Sequence, residues 1–254
     1  MSKTWLEKKQ WQRGKRALER QLDYQEKKAE ILRDSETEIM LNVFSKARAV
    51  RQKLEAVKKI DASARIIEVG SGAHGLVFGF GDELSVGIDP LAVEYKRLFP
   101  KWQEDTNTVA AIGEELPFED DFFDVVLSDN VIDHAEKPLK IIEELIRILK
   151  SGGLLYFTVN IHHPFYNFAS KAHGVWNALG VKFEISPFAD HTVHLTEAAM
   201  HEFFAAQPLE IIETTSTVEA TKNALKQIKS PNAEQRLKQI FFKNALFELI
   251  ALKK

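Results

Sequence analysis

The spacing of apolar positions changes along this chain. Residues 4–59 contain no Pro and one Gly, and an apolar stripe recurs there at helical spacing: Ile39, Val43, Ala47 and Val50. This pattern predicts two or three helices that pack on the rest of the protein. We place a helix start at Ser35, where the side chain is expected to cap the helix and Glu38 to complete a capping box.

From residue 65 onward, short apolar runs alternate with helical stretches. The predicted strands are Arg65–Val69, Leu84–Ile88, Thr108–Ala111, Asp124–Ser128, Leu154–Asn160, Leu209–Thr217 and Ala245–Leu252. The clearest helix is Pro138–Lys150, with Pro in its first turn and SGG beyond its end. A second helical stretch, Ala233–Lys243, separates the last two strands. The alternation predicts an α/β fold with a doubly wound, mostly parallel seven-stranded sheet.

Composition narrows the class of protein. The 254 residues suffice for one α/β domain with additions. No apolar run approaches the ~18 residues of a membrane span, and the Lys-rich N-terminus lacks the apolar core of a signal peptide. We therefore expect a cytoplasmic protein with no membrane partner. The absence of Cys excludes disulfides, thiolate metal sites and a cysteine nucleophile.

Charge is distributed unevenly along the chain. Residues 1–60 carry a balance of +7, whereas the remainder carries −10. A basic arm of this kind could bind nucleic acid, anionic lipid or a second copy of the chain. Its basic residues are interleaved with Glu and Asp, which is typical of a solvated helix with i,i+4 ion pairs. Nucleic acid is therefore not favoured as a partner, while a homodimer through the N-terminal helices stays open.

The segment Arg65–Gly75, RIIEVGSGAHG, carries the clearest chemical signal. An apolar run typical of a buried strand leads into Gly70, Gly72 and Gly75, which fit the pattern G-x-G-x-x-G. Glycines at this spacing form a tight turn that lets the backbone approach a ligand. Asp89, nineteen residues after the first glycine, ends the next strand and is placed to accept hydrogen bonds from ribose hydroxyls. The segment predicts a nucleoside-cofactor site.

Glu68 discriminates between nucleoside cofactors. A dinucleotide places its pyrophosphate on the glycine turn, where a carboxylate two residues before Gly70 would repel it. S-adenosylmethionine (SAM) has no phosphate and carries a cationic ammonium and a cationic sulfonium. SAM is therefore the expected cofactor, and an NAD-binding oxidoreductase is the alternative.

The motifs occur in an order that resembles class I SAM-dependent methyltransferases. They are E-x-G-x-G from Glu68, the acid Asp89, GEELPFEDDFFDVVLSDNVIDHAEKP from Gly113 and IIEELIRILKSGGLLYFTV from Ile141. The similarity spans roughly residues 62–160. It is greatest to the small-molecule group typified by the ubiquinone/menaquinone-biosynthesis methyltransferases, which have a type 11 methyltransferase domain.

The resemblance implies a domain organisation and a set of cofactor residues. An N-terminal helical extension, residues 1–60, would precede a methyltransferase domain, residues 61–254, with a substrate lid at 161–194 and an antiparallel pair of strands at the sheet edge. The family commonly has Asp where this chain has Ile112, which leaves the adenine to Gly113 and Glu114. The implied cofactor-binding residues are Glu68, Gly70, Ser71, Gly72, Gly75, Asp89, Pro90, Gly113, Glu114, Asp129 and Asn130.

Histidines and aromatic residues concentrate after the fifth predicted strand. Six of the eight histidines lie between residues 162 and 201, and the surrounding aromatics suit a lid over a flat or apolar small-molecule acceptor. A His near neutral pKa can serve as a general base. The candidate bases are His194 and His191, followed by His134, where the resembling group often has His.

These residues lead to one expected function and several alternatives. We expect methyl transfer from SAM to a small molecule, with oxygen as the preferred acceptor atom because a histidine base suits an alcohol or phenol. RNA methylation through the basic arm and a non-catalytic SAM-binding homologue remain alternatives. A metal site built from His163, His191, His194 and Asp190 lacks the tight spacing of known motifs, so no metal is expected.

Overall fold

The computed structural model describes residue 19 and residues 22–31, 35–80, 84–103, 107–132, 135, 137–166 and 195–254. The candidate bases His134, His191 and His194 lie outside these residues, as does most of the predicted lid, residues 167–194. Within the described ranges, no helix combines the length and the hydropathy that a bilayer crossing requires.

A seven-stranded sheet forms the centre of the protein. Its strands are β1 (Ile66–Val69), β2 (Ser85–Ile88), β3 (Thr108–Val109), β4 (Phe123–Asp129), β5 (Leu149–Ile161), β6 (Leu209–Ser216) and β7 (Ala245–Lys253). Their spatial order is β3-β2-β1-β4-β5-β7-β6. Strands β1 to β5 pair in parallel, whereas β7 is antiparallel to both β5 and β6. The predicted doubly wound sheet with an antiparallel pair at one edge is confirmed.

Helices cover both faces of the sheet. They are α1 (residues 22–31), α2 (Glu36–Val57), α3 (Ala92–Leu98), α4 (Pro100–Gln103), α5 (Pro138–Ile148), α6 (Glu197–Ala205), α7 (Val218–Lys226) and α8 (Ala233–Ile240), with a short 3-10 helix at Leu76–Gly79. Successive strand residues face opposite sides, so Ile67 packs with α5 and α6 while Ile66 packs under α2. The predicted stripe on α2 is confirmed in part, because Ala47 and Val50 are buried against the sheet. Val43 is partly buried against α3 and α4, and Ile39 is half-buried.

Two predicted boundaries were wrong near the strands. Helix α5 ends at Ile148 rather than Lys150, because Leu149 is already extended (φ −75°, ψ 132°) and pairs with Phe123 of β4. The SGG segment therefore lies within β5, at a register shift, instead of after a helix. Strand β3 ends at Val109 and does not reach Ala111; it is an edge strand with β2 as its one neighbour.

The predicted capping box at the start of α2 was also wrong. Ser35 is the residue before the helix, as expected, but its side chain makes no capping hydrogen bond. Its backbone (φ −109°, ψ 9°) lies outside the extended region in which an N-cap hydroxyl reaches the amides of the first turn.

Candidate functional site

The candidate cofactor residues gather where the parallel strands end. Strands β1, β2 and β4 run in the same direction, so the glycine turn after Val69, the acid after Ile88 and Asp129 meet at one edge of the sheet. Ligands of open α/β sheets bind outside this carboxyl edge. The candidate residues form four groups in the sequence, at residues 68–75, 89–90, 113–114 and 129–130. The topology brings the first, second and fourth groups together.

The glycine turn is tied to β2 by backbone hydrogen bonds. The amides of Gly70 and Ser71 donate to the carbonyl of Ile88 at 2.7 and 3.0 Å. Asp89 accepts from the amide of Gly72 at 3.1 Å and from that of Leu91 at 2.8 Å. Burial raises the pKa of Asp89, and these two hydrogen bonds oppose the shift. Asp89 thus holds the turn in place and keeps a carboxylate beside it.

A glycine is required for a different physical reason at each of the three positions of the motif. Gly70 has a φ of 80°, and a Cβ there would collide with the side chain of Val131. A Cβ on Gly75 would collide with the carboxylate of Glu68. Gly72 has a φ of 56°, yet no atom of the described residues lies within 4 Å of its Cβ position. Gly72 is therefore the glycine that faces open space at the carboxyl edge.

Glu68 is a buried acid beneath the glycine turn. Its side chain accepts hydrogen bonds from the amides of Val77, at 2.8 Å, and Leu76, at the start of the 3-10 helix. Burial raises the pKa of Glu68 to about 8, and the negative charge of Asp129 adds to the shift against the amide hydrogen bonds. A cation bound nearby would stabilise the ionised form. The position therefore suits a positively charged ligand group.

Asp129 and Asn130 connect β4 to its neighbours. Asp129 accepts hydrogen bonds from the Oγ1 of Thr158, at 2.8 Å, and from the ammonium of Lys46 on α2. Asn130 has a φ of 58° and accepts from the amide of Asn160 at 3.0 Å. Both residues therefore sit at the carboxyl edge with their side chains directed toward β5 or α2.

The remaining candidate residues take less direct positions. The side chain of Ser71 lies against Gly87 of β2, and Pro90 lies in the turn between Asp89 and α3. A Cβ on Gly113 would stand 3.0 Å from Ile141 of α5, and Glu114 accepts from the amide of Lys137 at 3.2 Å. Gly113 and Glu114 thus contact α5 and the residue before it.

Sequence reasoning missed three residues that shape the turn. Gln103 is fully buried, and its side-chain amide donates to the carbonyl of Ala73 at 2.8 Å. His74 packs edge-on against Phe99 at 4.7 Å, and burial lowers its pKa to about 4. Lys46 reaches Asp129 from α2. No local pattern marks any of these contacts, because each joins segments that are distant in the sequence.

Two chain connections meet beyond the end of β5. The ring of Phe165 stacks on Phe241 at 4.0 Å, and the hydroxyl of Tyr166 donates to the carbonyl of Phe241 at 2.9 Å. Phe241 belongs to the β6–β7 connection, residues 217–244, which contains α7 and α8. Because Ile161 pairs with Ala245, both connections lie at the carboxyl edge.

The histidines directly after β5 take part in these packing contacts. The Nδ1 of His162 accepts from the amide of Asn244 at 3.3 Å, and the Nδ1 of His163 accepts from the amide of Phe165 at 3.2 Å. Within the described ranges, no group of three or more His, Asp or Glu side chains is arranged to hold a metal ion.

The residues at the edge fit SAM on structural grounds. Gly72 leaves a space that a Cβ would fill, and Asp89 presents a carboxylate beside it. Asp129 supplies negative charge for the cationic end of such a ligand, and Glu68 would add to it once a bound cation stabilises its ionised form. A phosphate-bearing dinucleotide would meet the charge of Asp129 and would disfavour the ionisation of Glu68.

Comparisons with known proteins agree with this geometry. Residues 67–157 match a family model described as a methyltransferase domain. An uncharacterised protein of Methanocaldococcus jannaschii is 34% identical over 103 residues, which is 41% of this chain and 48% of that protein. An uncharacterised methyltransferase of Mycobacterium avium is 32% identical over 138 residues, 53% of this chain and 46% of that one. The chain thus spans about half the length of the curated relatives it matches.

A solved structure shows the same fold. Geranyl diphosphate C-methyltransferase from Streptomyces coelicolor, in complex with Mg²⁺, geranyl diphosphate and S-adenosylhomocysteine, superposes with a TM-score of 0.56 at 13% identity. The alignment covers 82% of this chain and 79% of that one. At this identity the likeness establishes the fold and not the acceptor.

Proposed function

Because this chain carries a class I methyltransferase domain, we propose that it transfers a methyl group from SAM to an oxygen atom of a small-molecule acceptor. The observation that carries the proposal is the glycine turn. Gly72 faces open space, Asp89 lies beside it, and Glu68 is buried beneath it. This combination leaves the backbone of Gly72 open to a ligand and places two carboxyl groups next to the turn.

Each residue of the turn has a task in this function. SAM supplies a methyl group that its sulfonium has already activated. Asp89 would accept hydrogen bonds from the ribose hydroxyls, while Glu68 and Asp129 would face the cationic methionine end. The enzyme then mainly aligns the acceptor with the methyl group and excludes water. Hydrogen bonds from Gly70 and Ser71 to the carbonyl of Ile88, and from Gln103 to the carbonyl of Ala73, would hold the turn in place for that alignment.

The acceptor is proposed to be small because two chain connections border the edge of the sheet. The segment after β5 and the β6–β7 connection are held together by Phe165, Tyr166 and Phe241, an arrangement suited to enclosing a small molecule. An alcohol or phenol also requires a base for its proton. His194, His191 and His134 keep that proposed role.

Cofactor binding can be tested with a matched pair of glycine variants. Gly72→Ala and Gly152→Ala both place a Cβ at positive φ (56° and 71°) without a collision, since the nearest atom to a Cβ on Gly152 is Lys58 Nζ at 3.7 Å. Both should lose about 1–2 kcal/mol of stability. Only Gly72→Ala should lower the affinity for S-adenosylhomocysteine in calorimetry, by about tenfold or more.

The outcome separates the candidate functions. Wild-type affinity in a folded Gly72→Ala protein would place the cofactor away from the turn. Binding of NAD instead of S-adenosylhomocysteine by the wild-type chain would favour the oxidoreductase. Equal loss of affinity in both variants would indicate a general effect of backbone strain.

The acceptor atom requires a second experiment. The purified protein is incubated with SAM that carries an isotope-labelled methyl group and with a small-molecule extract. The carbon chemical shift of the labelled methyl in the product distinguishes methyl ethers from N-methyl and C-methyl groups. A labelled ether supports the proposal, whereas a labelled amine, carbon centre or RNA contradicts it.

A further inference from the structure

Helix α2 places two lysines over a row of polar side chains on the sheet. Lys46 and Lys53 are seven residues apart, so they lie on the same side of the helix about two turns apart. Lys46 forms an ion pair with Asp129 of β4, and Lys53 forms one with Glu248 of β7. The side chains of the two pairs are exposed to a similar extent. The exposed fractions are 56% for Lys46 and 46% for Lys53, and 17% for Asp129 and 12% for Glu248.

The two ion pairs differ in their distance from the glycine turn. In the parallel register, Glu68 pairs with Leu127, two residues before Asp129, and the charges of Asp129 and Lys46 both act on the Glu68 carboxyl beneath the turn. Glu248 lies two strands away from β4, where it accepts from the hydroxyl of Tyr156 at 2.8 Å. The Lys46–Asp129 pair therefore borders the candidate cofactor site, and the Lys53–Glu248 pair does not.

An ion pair at this position is complementary to an α-amino-acid group. Such a group carries an ammonium and a carboxylate on the same carbon atom. If the pair opens around it, the ammonium contacts Asp129 and the carboxylate contacts Lys46, so every charge keeps a partner. Leaving one of these charges unpaired in a partly buried site would cost far more. The 56% exposure of Lys46 leaves its long side chain free to move by that distance.

We propose that Lys46 binds the carboxylate of the cofactor's amino-acid group, while Asp129 binds its ammonium. The inference rests on the proposed function, since it concerns the cofactor of that same site. Lys46 lies outside residues 67–157, which match the family model, so that match does not assign it a role. Helix α2 is thereby part of the cofactor site and not only a cover for the sheet.

The test compares Lys46→Gln with Lys53→Gln. Calorimetry measures the affinity of each variant for S-adenosylhomocysteine and for its decarboxylated analogue, in which the carboxylate is absent and the amine remains. Lys46→Gln should weaken binding of S-adenosylhomocysteine by about tenfold or more, as expected for the loss of a charged hydrogen bond. It should change the affinity for the decarboxylated analogue by about twofold at most. Lys53→Gln should leave both affinities unchanged.

Other outcomes contradict the proposal. An equal loss for both ligands would mean that Lys46 only orients Asp129 or α2. Unchanged affinity for S-adenosylhomocysteine would remove Lys46 from the site. The variant Lys46→Arg should restore most of the affinity, because a guanidinium also binds a carboxylate. If the wild-type chain binds neither ligand, the proposed function fails together with this inference, and the variants need not be compared.

Discussion

At the scale of single residues, Glu68 provides a carboxyl group for the candidate site at the expense of the stability of the fold. A carboxyl group with 1% exposure beneath a backbone turn is costly to ionise. The groups that face it are Lys46 from α2, Asp129 from β4 and the Leu76 and Val77 amides of the 3-10 helix. A positively charged ligand group bound nearby would offset the free-energy cost of ionising Glu68.

This environment predicts a specific pH dependence. The folded pKa of Glu68, about 8, lies above the unfolded value of 4.5. Between these values the folded state binds one more proton than the unfolded state, so the stability falls as the pH rises through that window. Glu68→Gln should remove this contribution, which is at most about 1.4 kcal/mol per pH unit.

Urea unfolding of the wild type and Glu68→Gln between about pH 5 and pH 8 measures the difference. The free energy of unfolding of the wild type should decline more steeply than that of the variant. Parallel profiles for the two proteins would show that Glu68 is ionised throughout.

At the scale of elements, α2 connects the core of the sheet with the rim of the candidate cofactor site. Its buried side packs with β1, β4 and β5, and its lysines reach the ends of β4 and β7. Packing therefore determines where Lys46 lies. A helix that shifted by one turn would carry that ammonium about 5 Å away from Asp129.

The packing of α2 predicts a contrast between two leucines of the same helix. Leu54 is fully buried, whereas Leu41 is 64% exposed. Leu54→Ala should cost about 2–5 kcal/mol because it leaves a cavity against the sheet. Leu41→Ala should change stability by about 0.5 kcal/mol or less. Denaturant unfolding measures both, and similar values would show that α2 is not packed as described.

At the scale of the whole molecule, the proposed acceptor side is bordered by two connections that are far apart in sequence. The hydroxyl of Tyr166, after β5, donates to the carbonyl of Phe241, before β7. The predicted homodimer through the N-terminal helices belongs to the same scale and stays a prediction. Exposed apolar side chains on α1 and α2, including Tyr24 and Ile31, are available for it.

The contact between the two connections can be tested by removing one hydroxyl. Tyr166→Phe should lower the free energy of unfolding by about 1 kcal/mol. Tyr24→Phe, at a side chain that is 60% exposed, is the control and should have no measurable effect. Because Tyr166 lies on the proposed acceptor side, the affinity for S-adenosylhomocysteine should be unchanged in both variants. A loss of that affinity in Tyr166→Phe would mean that the connection also forms part of the cofactor site.

The sequence by itself determined the fold class and the residues of the glycine turn, and the resemblance to a known family added the antiparallel pair at the sheet edge. The fold class and the turn follow from local information. The alternation of apolar runs with helical stretches encodes the α/β architecture, and the spacing of Gly70, Gly72 and Asp89 encodes the turn and the acid after the next strand. The resemblance of these local motifs to known ones then indicates the methyltransferase family.

Only the tertiary structure decided which side chains meet. Lys46 and Asp129 are 83 residues apart in the sequence, and Gln103 and Ala73 are 30 apart. It also distinguished the glycines, because Gly75 makes room for Glu68 while Gly72 leaves space at the edge. Contacts of this kind depend on helix packing and strand order, which bring distant segments together and leave no periodic pattern in either segment.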